Sequence, residues 1–280
     1  MSAWKRFKKN KTACFSCAII IVLVFSSIFA GFLSPYSYEE PTDMALRAPL
    51  SQGHLLGTDD LKRDVLSRLL YGGRMSMLVG FTVALGSLLF GTAFGSISGY
   101  AGGRLDNFMM RIVDIFYTFP AIVLIIFMTL IFGRGVFGIL VALILVGWAD
   151  VSRLVRGQVL QIKQEPYIEA ARAIGISRSR LLMKYFLPNL WAPLIVTLTF
   201  QIPAAVLYES FLSFIGLGMR PPYASWGTLA NDAWKLGAHK SIEYSYLILF
   251  PSLAIFFSML AFNLMGDGLR DALDPKLKGR

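Results

Sequence analysis

The sequence predicts an all-α polytopic membrane protein with six transmembrane helices. Of its residues, 55% are hydrophobic and only 16% are charged. Several apolar runs are long enough to cross a hydrocarbon core of about 30 Å, which requires about 20 helical residues. Such runs form helices, because an isolated strand in lipid would leave its backbone polar groups unpaired. Lysine and arginine are concentrated in alternate connecting segments, which gives the predicted helices an orientation.

The apolar runs divide the chain into four regions. The six predicted spans cover residues 13–33, 75–100, 112–132, 136–155, 190–211 and 246–265. The regions are a cytoplasmic basic tail with the first span (1–33), an external connector (34–73), a transmembrane domain (74–267) with a cytoplasmic loop (156–188), and a cytoplasmic tail (268–280).

Positive charge predicts that both termini are cytoplasmic. With the N-terminus inside, the internal segments contain 18 of the 27 Lys and Arg residues, as the positive-inside bias requires. The net charge of +10 is therefore explained by topology, without a nucleic-acid partner. The basic N-terminal segment is similar to the start of a signal peptide. The apolar run after it is too long and lacks a small-x-small cleavage site, so we predict an uncleaved anchor.

Cysteine and histidine do not indicate a redox or metal centre. Cys14 and Cys17 have a C-x-x-C spacing, but they lie at the start of the first span. A redox pair needs exposure and a lowered thiol pKa, so we interpret them as small apolar residues. His54 and His239 lie in separate outer loops. We therefore predict no metal site.

The second half of the connector is predicted to be a helix lying on the membrane surface. Thr58 or Asp59 can cap its start, and the glycine pair Gly72 and Gly73 can end it. An apolar stripe with charges elsewhere around the helix is typical of interfacial helices. The stripe consists of Leu61, Val65, Leu66, Leu69 and Leu70.

The second span has glycines at four-residue spacing, Gly91, Gly95 and Gly99. Small residues at this spacing allow helix backbones to approach closely in lipid. The contact is either within this chain or with a second membrane-spanning subunit.

Ionisable residues near the spans must face protein or water, because a charge at membrane depth costs about 3 kcal/mol. We predict that Asp150 pairs with Arg153, and Asp114 with Arg111, since residues three apart share a helix face. Glu209 has no partner in its own helix. It either hydrogen-bonds the glycine-rich turn that follows or lines the substrate path.

One polar segment between the fourth and fifth spans has the pattern of a docking element. Pro166 favours the first position of a helix, and Gly175 can end it in a left-handed conformation. Ser177 can cap a second short helix that runs toward Leu187. Both helices are too short and too charged to span lipid, so we expect the segment to be presented to a partner.

This segment resembles the EAA loop of ABC importer permeases, through Glu169, Ala170, Ala171, Gly175 and the later pair Leu187-Pro188. Four further stretches resemble the second permease of dipeptide, oligopeptide and nickel importers, so that the resemblance extends from about residue 57 to the end. They cover residues 57–69, 213–218, 225–227 and 263–271. Two positions depart from the pattern: Tyr185 replaces a usual isoleucine, and Lys62 a usual glycine.

The resemblance implies an ABC type-1 importer permease fold in a bacterial inner membrane. It implies a second homologous permease, two ATPase subunits that bind ATP and Mg²⁺, and an external substrate-binding protein. The loop would dock on the ATPase, with Glu169 making a polar contact and Ala170, Ala171 and Gly175 allowing close approach. Alternatively, Glu169 pairs with Arg172 within the loop.

The implied function is the import of di- or oligopeptides, with nickel or glutathione as alternative cargoes. The sequence contains no G-x-x-x-x-G-K-[ST] loop, so we expect no nucleotide or other cofactor in this chain and no catalysis by it. A self-sufficient secondary transporter or channel is the alternative class. It would show internal repeats and charges at the bilayer midplane, which the sequence lacks.

Overall fold

A computed structural model describes residues 3–51 and 53–273, and these residues form α-helices without a β-strand. The tail prediction for 268–280 therefore lies outside the described residues from position 274 onward. The first six helices are α1 (Ala3–Lys9), α2 (Lys11–Ile28), α3 (Ala30–Leu33), α4 (Val65–Ala101), α5 (Gly103–Thr118) and α6 (Ala121–Phe132). The others are α7 (Val136–Ile162), α8 (Pro166–Ala173), α9 (Arg178–Leu181), α10 (Leu187–Phe214), α11 (Trp226–Leu236) and α12 (Tyr246–Leu273).

Five helical segments of the described chain are long and apolar enough to cross a membrane, and a bent pair brings the number to six when it is counted as one span. The bent pair corrects the third predicted span, 112–132. It consists of α5 and α6, whose axes differ by 94°. Pro120 explains the break, because proline lacks an N–H and disfavours a helical conformation in the residue before it. Phe119 is accordingly extended, with φ −103° and ψ 144°.

The connector does not contain the predicted interfacial helix. Helix α4 begins at Val65, where the Asp64 carboxylate accepts a hydrogen bond from the Ser67 backbone N–H at 2.8 Å. It continues through Gly72 and Gly73 to Ala101. The glycine pair does not end the helix. Both glycines allow α11 to approach, and a Cβ added to Gly73 would lie 3.0 Å from the Trp226 ring.

The close packing of α4 against α7 is built on the spaced glycines of the second span. A Cβ added to Gly91 would lie 2.5 Å from the Val151 Cβ, and one added to Gly95 would lie 2.3 Å from the Ser152 carbonyl oxygen. Gly99 is also buried and faces α7. The structure therefore decides between the two interpretations, and the glycines pack within this chain.

The segment between α10 and α12 is partly helical. Ser225 and Thr228 form a reciprocal cap at the start of α11, and Gly237 ends the helix in a left-handed conformation with φ 83°. Trp226 is buried against α4, and its indole N–H donates to the Leu69 carbonyl at 3.0 Å. Helix α11 is thereby fixed to the first turns of α4.

Candidate coupling site

The loop between α7 and α10 presents a short helix at one end of the long helices. Helix α8 starts at Pro166 as predicted. It is followed by Gly175, whose φ of 78° is the left-handed conformation that glycine adopts without strain. A Cβ added at Gly175 would meet nothing within 4 Å. The turn is therefore open on its outer side.

Helix α8 is buried on one face and exposed on the other. Ile168 is fully buried and Ala171 is 5% exposed. Both belong to an apolar cluster with Val155 and Val159 of α7. Glu169 and Ala170 lie on the exposed face. Of the residues predicted to form the docking surface, Ala171 therefore packs against the chain's own apolar cluster. Glu169 and Ala170 are exposed.

The loop does not contain a salt bridge between Glu169 and Arg172 among the ion pairs of the described residues. The Arg172 guanidinium lies over the Tyr100 ring, 5.8 Å from its centroid. The carboxylate of Glu169 is exposed and available to an external group.

The second predicted helix of the loop is the beginning of the fifth span rather than a separate element. The single turn α9 runs into a π-helical turn, Leu182–Phe186, and then directly into α10. Leu181 donates its backbone N–H to the Ser177 carbonyl at 2.9 Å. The Asn189 side-chain amide donates to the Tyr185 carbonyl at 2.6 Å and to the Tyr167 hydroxyl at 3.3 Å. The start of α10 is thereby tied to α8.

Tyr100, at the end of α4, is surrounded by groups from the loop and its flanks. Lys163 donates to the Tyr100 carbonyl at 2.9 Å. The Phe186 ring packs edge-on against the Tyr100 ring at a centroid distance of 5.7 Å. With Arg172 over the same ring, one residue of α4 is contacted from three points of the loop region. No pattern in the sequence pointed to this role of Tyr100.

A second connection links α4, α5 and α7 beside the loop. The Arg156 guanidinium donates two hydrogen bonds to the Asp106 carboxylate, at 2.6 and 2.7 Å. Ser98 donates to the same carboxylate at 2.5 Å. Bidentate arginine–carboxylate pairs fix geometry as well as charge, so this pair holds the base of α7 against α5.

The two ion pairs predicted within single helices are wrong. Arg153 of α7 pairs with Asp114 of α5 at 2.8 Å, and the Tyr117 hydroxyl donates to Asp150. The adjacent helices α5 and α7 bring these groups together across the helix interface. Arg111 is therefore not the partner of Asp114.

Glu209 is fully buried inside this chain, within a group of serines. Ser213 donates to its carboxylate at 2.7 Å and Ser76 at 3.2 Å. The Ser76 hydroxyl oxygen accepts the Trp226 backbone N–H at 3.2 Å. The carboxylate thereby joins α4 and α10, and Ser76 extends the connection to α11.

A separate cavity of about 870 Å³ lies between the connector, α11 and residues 216–224. Asp59 is shared by Arg63 and Arg68, at 2.8 and 2.7 Å. Nearby, a hydrogen bond to the Glu39 carboxylate raises the pKa of the Tyr38 phenol to about 12. The cavity is lined by charges of both signs, an arrangement that the sequence did not reveal.

Metal coordination has no support in the described part of the chain. Within residues 3–51 and 53–273, no group of three or more His, Cys, Asp or Glu side chains could hold a metal ion. Cys14 and Cys17 are both free thiols.

The long apolar helices and the exposed helix α8 define a multi-span membrane protein that presents a short helix at one end of its helical bundle. A family model described as a binding-protein-dependent transport system inner membrane component matches residues 91–279. This is more than half of the chain, so the protein belongs to that family. A second model, the N-terminal transmembrane domain of oligopeptide transport permease C, matches residues 1–50.

Relatives match the chain over nearly its full length. The oligopeptide transport system permease protein OppC of Bacillus subtilis is 42% identical over 99% of this chain and 91% of the relative. The dipeptide transport system permease protein DppC of the same organism is 43% identical over 99% of this chain and 85% of the relative. The glutathione transport system permease protein GsiD of Pectobacterium atrosepticum is 38% identical, covering 98% and 90%.

The fold also matches a solved structure. A chain of the MetNI methionine ABC transporter, in inward-facing conformations, superposes with a TM-score of 0.60. The match covers 74% of this chain and 96% of that chain, at 19% identity. The predicted ABC importer permease fold is thus confirmed.

Proposed function

We propose that this protein is a permease subunit of an ATP-driven importer of di- or oligopeptides. The observation that carries the proposal is 42–43% identity, over 99% of the chain, to permeases named for oligopeptide and dipeptide transport. Glutathione is a second candidate cargo, because a relative named for glutathione transport is 38% identical.

The proposed assembly contains a second permease, two ATPase subunits and an external binding protein. Six spans form one wall of a path, and a second permease would complete it. ATP and Mg²⁺ would bind to the ATPase subunits, since the 280-residue sequence has no Walker-type phosphate loop. The positive-inside bias supports an orientation with both termini and α8 on the cytoplasmic side.

The proposed coupling mechanism uses both faces of α8. Glu169, Ala170 and the open turn at Gly175 form the surface offered to the ATPase. Ile168 and Ala171 pack into the chain's own apolar cluster. A displacement imposed on the outer face is therefore delivered to α7 through close-packed side chains, which transmit rigid-body movement.

The coupling role is tested by Gly175→Asp and Glu169→Lys, which should abolish ATPase association and peptide uptake without unfolding the permease. A side chain at Gly175 meets no neighbour within this chain, so its internal cost is limited to left-handed strain of about 1–2 kcal/mol. Gly175→Asn is the matched control, because asparagine tolerates this conformation and adds no charge. Glu243→Lys makes the same charge change as Glu169→Lys on an exposed residue elsewhere.

Pull-down with the ATPase subunits and uptake into vesicles would measure the two effects. Wild-type uptake in both Gly175→Asp and Glu169→Lys would exclude docking through this surface.

The subunit assignment is tested by reconstitution. The isolated chain in proteoliposomes should neither hydrolyse ATP nor import peptide, whereas the full assembly should do both. ATP-independent peptide uptake by the isolated chain would instead support a secondary transporter.

A further inference from the structure

A cavity of about 620 Å³ lies between the end of α4, helix α8 and the start of the π-helical turn. Its walls are formed by Ile97, Tyr100, Ala101, Lys163, Arg172, Ile176, Leu181 and Leu182. It opens on the same end of the molecule as α8.

The charge inside this cavity is positive. Lys163 and Arg172 line it, and none of the described residues that line it is acidic. Both cations lie close to the ring of Tyr100. The Lys163 Nζ atom is 6.0 Å from the ring centroid, and the Arg172 Cζ atom is 5.8 Å from it. The nearby Asp106 carboxylate is already neutralised by the bidentate pair with Arg156.

The hydrogen-bonding capacity of these two cations is largely unused. Lys163 donates to one acceptor, the Tyr100 carbonyl, although an ammonium group has three donors. Arg172 has only the face of the Tyr100 ring as a partner among the described contacts, although a guanidinium group has five donors. Two cations with spare donors around one space are suited to a phosphate anion.

The remainder of the cavity is apolar and reaches the exposed surface of α4. Ile176, Leu181 and Leu182 form one wall. Ile97 forms the other and is half exposed, at 50%. A soluble anion would leave these side chains uncovered, whereas a lipid would cover them with its acyl chains.

We propose that this cavity binds one anionic phospholipid, with its phosphate between Lys163 and Arg172 and its acyl chains along Ile97 and Leu182. The leaflet involved rests on the orientation proposed above, which places the cavity at the cytoplasmic side. There the lipid surface is negative and attracts basic residues. The bound lipid would bridge the end of α4 and the coupling helix.

The test uses the purified assembly with its partner subunits, stripped of lipid in detergent. Native mass spectrometry then measures retention of added phosphatidylglycerol or phosphatidylcholine. We expect one tightly retained phosphatidylglycerol. Lys163→Gln and Arg172→Gln should each weaken retention about fivefold, the effect of one basic residue at an anionic lipid surface. Lys163→Arg keeps the charge and should retain the lipid.

Arg104→Gln is the matched control, because it removes a positive charge from an exposed residue outside the cavity. Its retention of phosphatidylglycerol should equal that of the wild type. Equal retention of the two lipids, or equal loss in Arg104→Gln and Lys163→Gln, would overturn the proposal. So would complete displacement by inorganic phosphate, which would identify a site for soluble phosphate. Binding in detergent does not depend on orientation or cargo, so the proposed function can fail separately.

Discussion

Substituting Gly95 by alanine tests whether the contact between α4 and α7 sets the geometry of the bundle. The added Cβ would lie 2.3 Å from the Ser152 carbonyl oxygen and 3.0 Å from the Val155 Cβ. An ordinary van der Waals contact begins near 3.4 Å. The obstacle is a backbone oxygen, which cannot rotate away, so the helices must separate locally by about 1 Å, the difference between 3.4 and 2.3 Å.

Two opposing contributions determine the effect of Gly95→Ala on the stability of the protein. Overpacking of this kind costs about 1–3 kcal/mol. Alanine is a better helix former than glycine by about 1 kcal/mol. Gly91 and Gly99 are buried in the same contact between α4 and α7, which we call the glycine seam. The shift at Gly95 therefore also loosens their contacts. We therefore expect Gly95→Ala to destabilise the protein by about 1–2 kcal/mol.

Thermal unfolding of the detergent-solubilised protein measures this effect, which corresponds to a decrease in Tm of about 2–8 °C. Gly157→Ala is the matched control, because Gly157 lies within α7 and its added Cβ would meet nothing within 4 Å. That variant should be as stable as the wild type or slightly more stable. If Gly95→Ala unfolds at the same temperature as Gly157→Ala, the seam does not hold the two helices at their observed distance.

Three further predictions concern the buried polar groups and the topology. Glu209→Ala should lower the free energy of unfolding by about 1–3 kcal/mol, because the serine hydroxyls around Glu209 lose their acceptor. Glu209→Gln keeps an acceptor and should lower it less. Thermal unfolding measures both variants. Arg156→Gln should lower the free energy of unfolding by about 2 kcal/mol, because it breaks the ion pair with Asp106. Loss of a fully buried pair would cost ~3–5 kcal/mol, but Arg156 is partly exposed. An equal loss of stability in Arg104→Gln would contradict this expectation. Cysteines at Gly175 and Asp60 should be labelled by impermeant reagents only from the inside and only from the outside, respectively, and the reverse would exclude the proposed orientation.

The sequence was sufficient for features that depend on local chemistry. Apolar length predicted most of the spans, and Pro166 and Gly175 predicted both ends of the short helix α8. It was insufficient where a distant residue determines the role of a local signal. Gly72 and Gly73 have the composition of a helix end, yet they are interior because Trp226, more than 150 positions away in sequence, packs onto them.

The ionisable residues of the spans illustrate the same limit. Spacing along one helix suggested Asp150 with Arg153, because only neighbours on the same helix can be recognised without a fold. In the structure α5 lies beside α7, and Arg153 forms an ion pair with Asp114 at 2.8 Å. The bend at Pro120, by contrast, had a local signal within an otherwise continuous apolar run.

The contacts of α8 lead to a prediction about how the bundle moves. Ile168 packs with α7, and Arg172 lies over Tyr100 of α4, so α8 is attached to two helices that the glycine seam already joins. It reaches α10 through the π-helical turn, a helical form often found at functional sites. We therefore expect α4 and α7 to keep their separation when ATP binds, and any change in the distances between helices to involve α10 rather than the α4–α7 contact. Spin labels at Leu89, Leu154 and Ile195, one on each helix, would measure this in the assembly. A change in the Leu89–Leu154 distance as large as that in Leu89–Ile195 would show that the seam is not a rigid element.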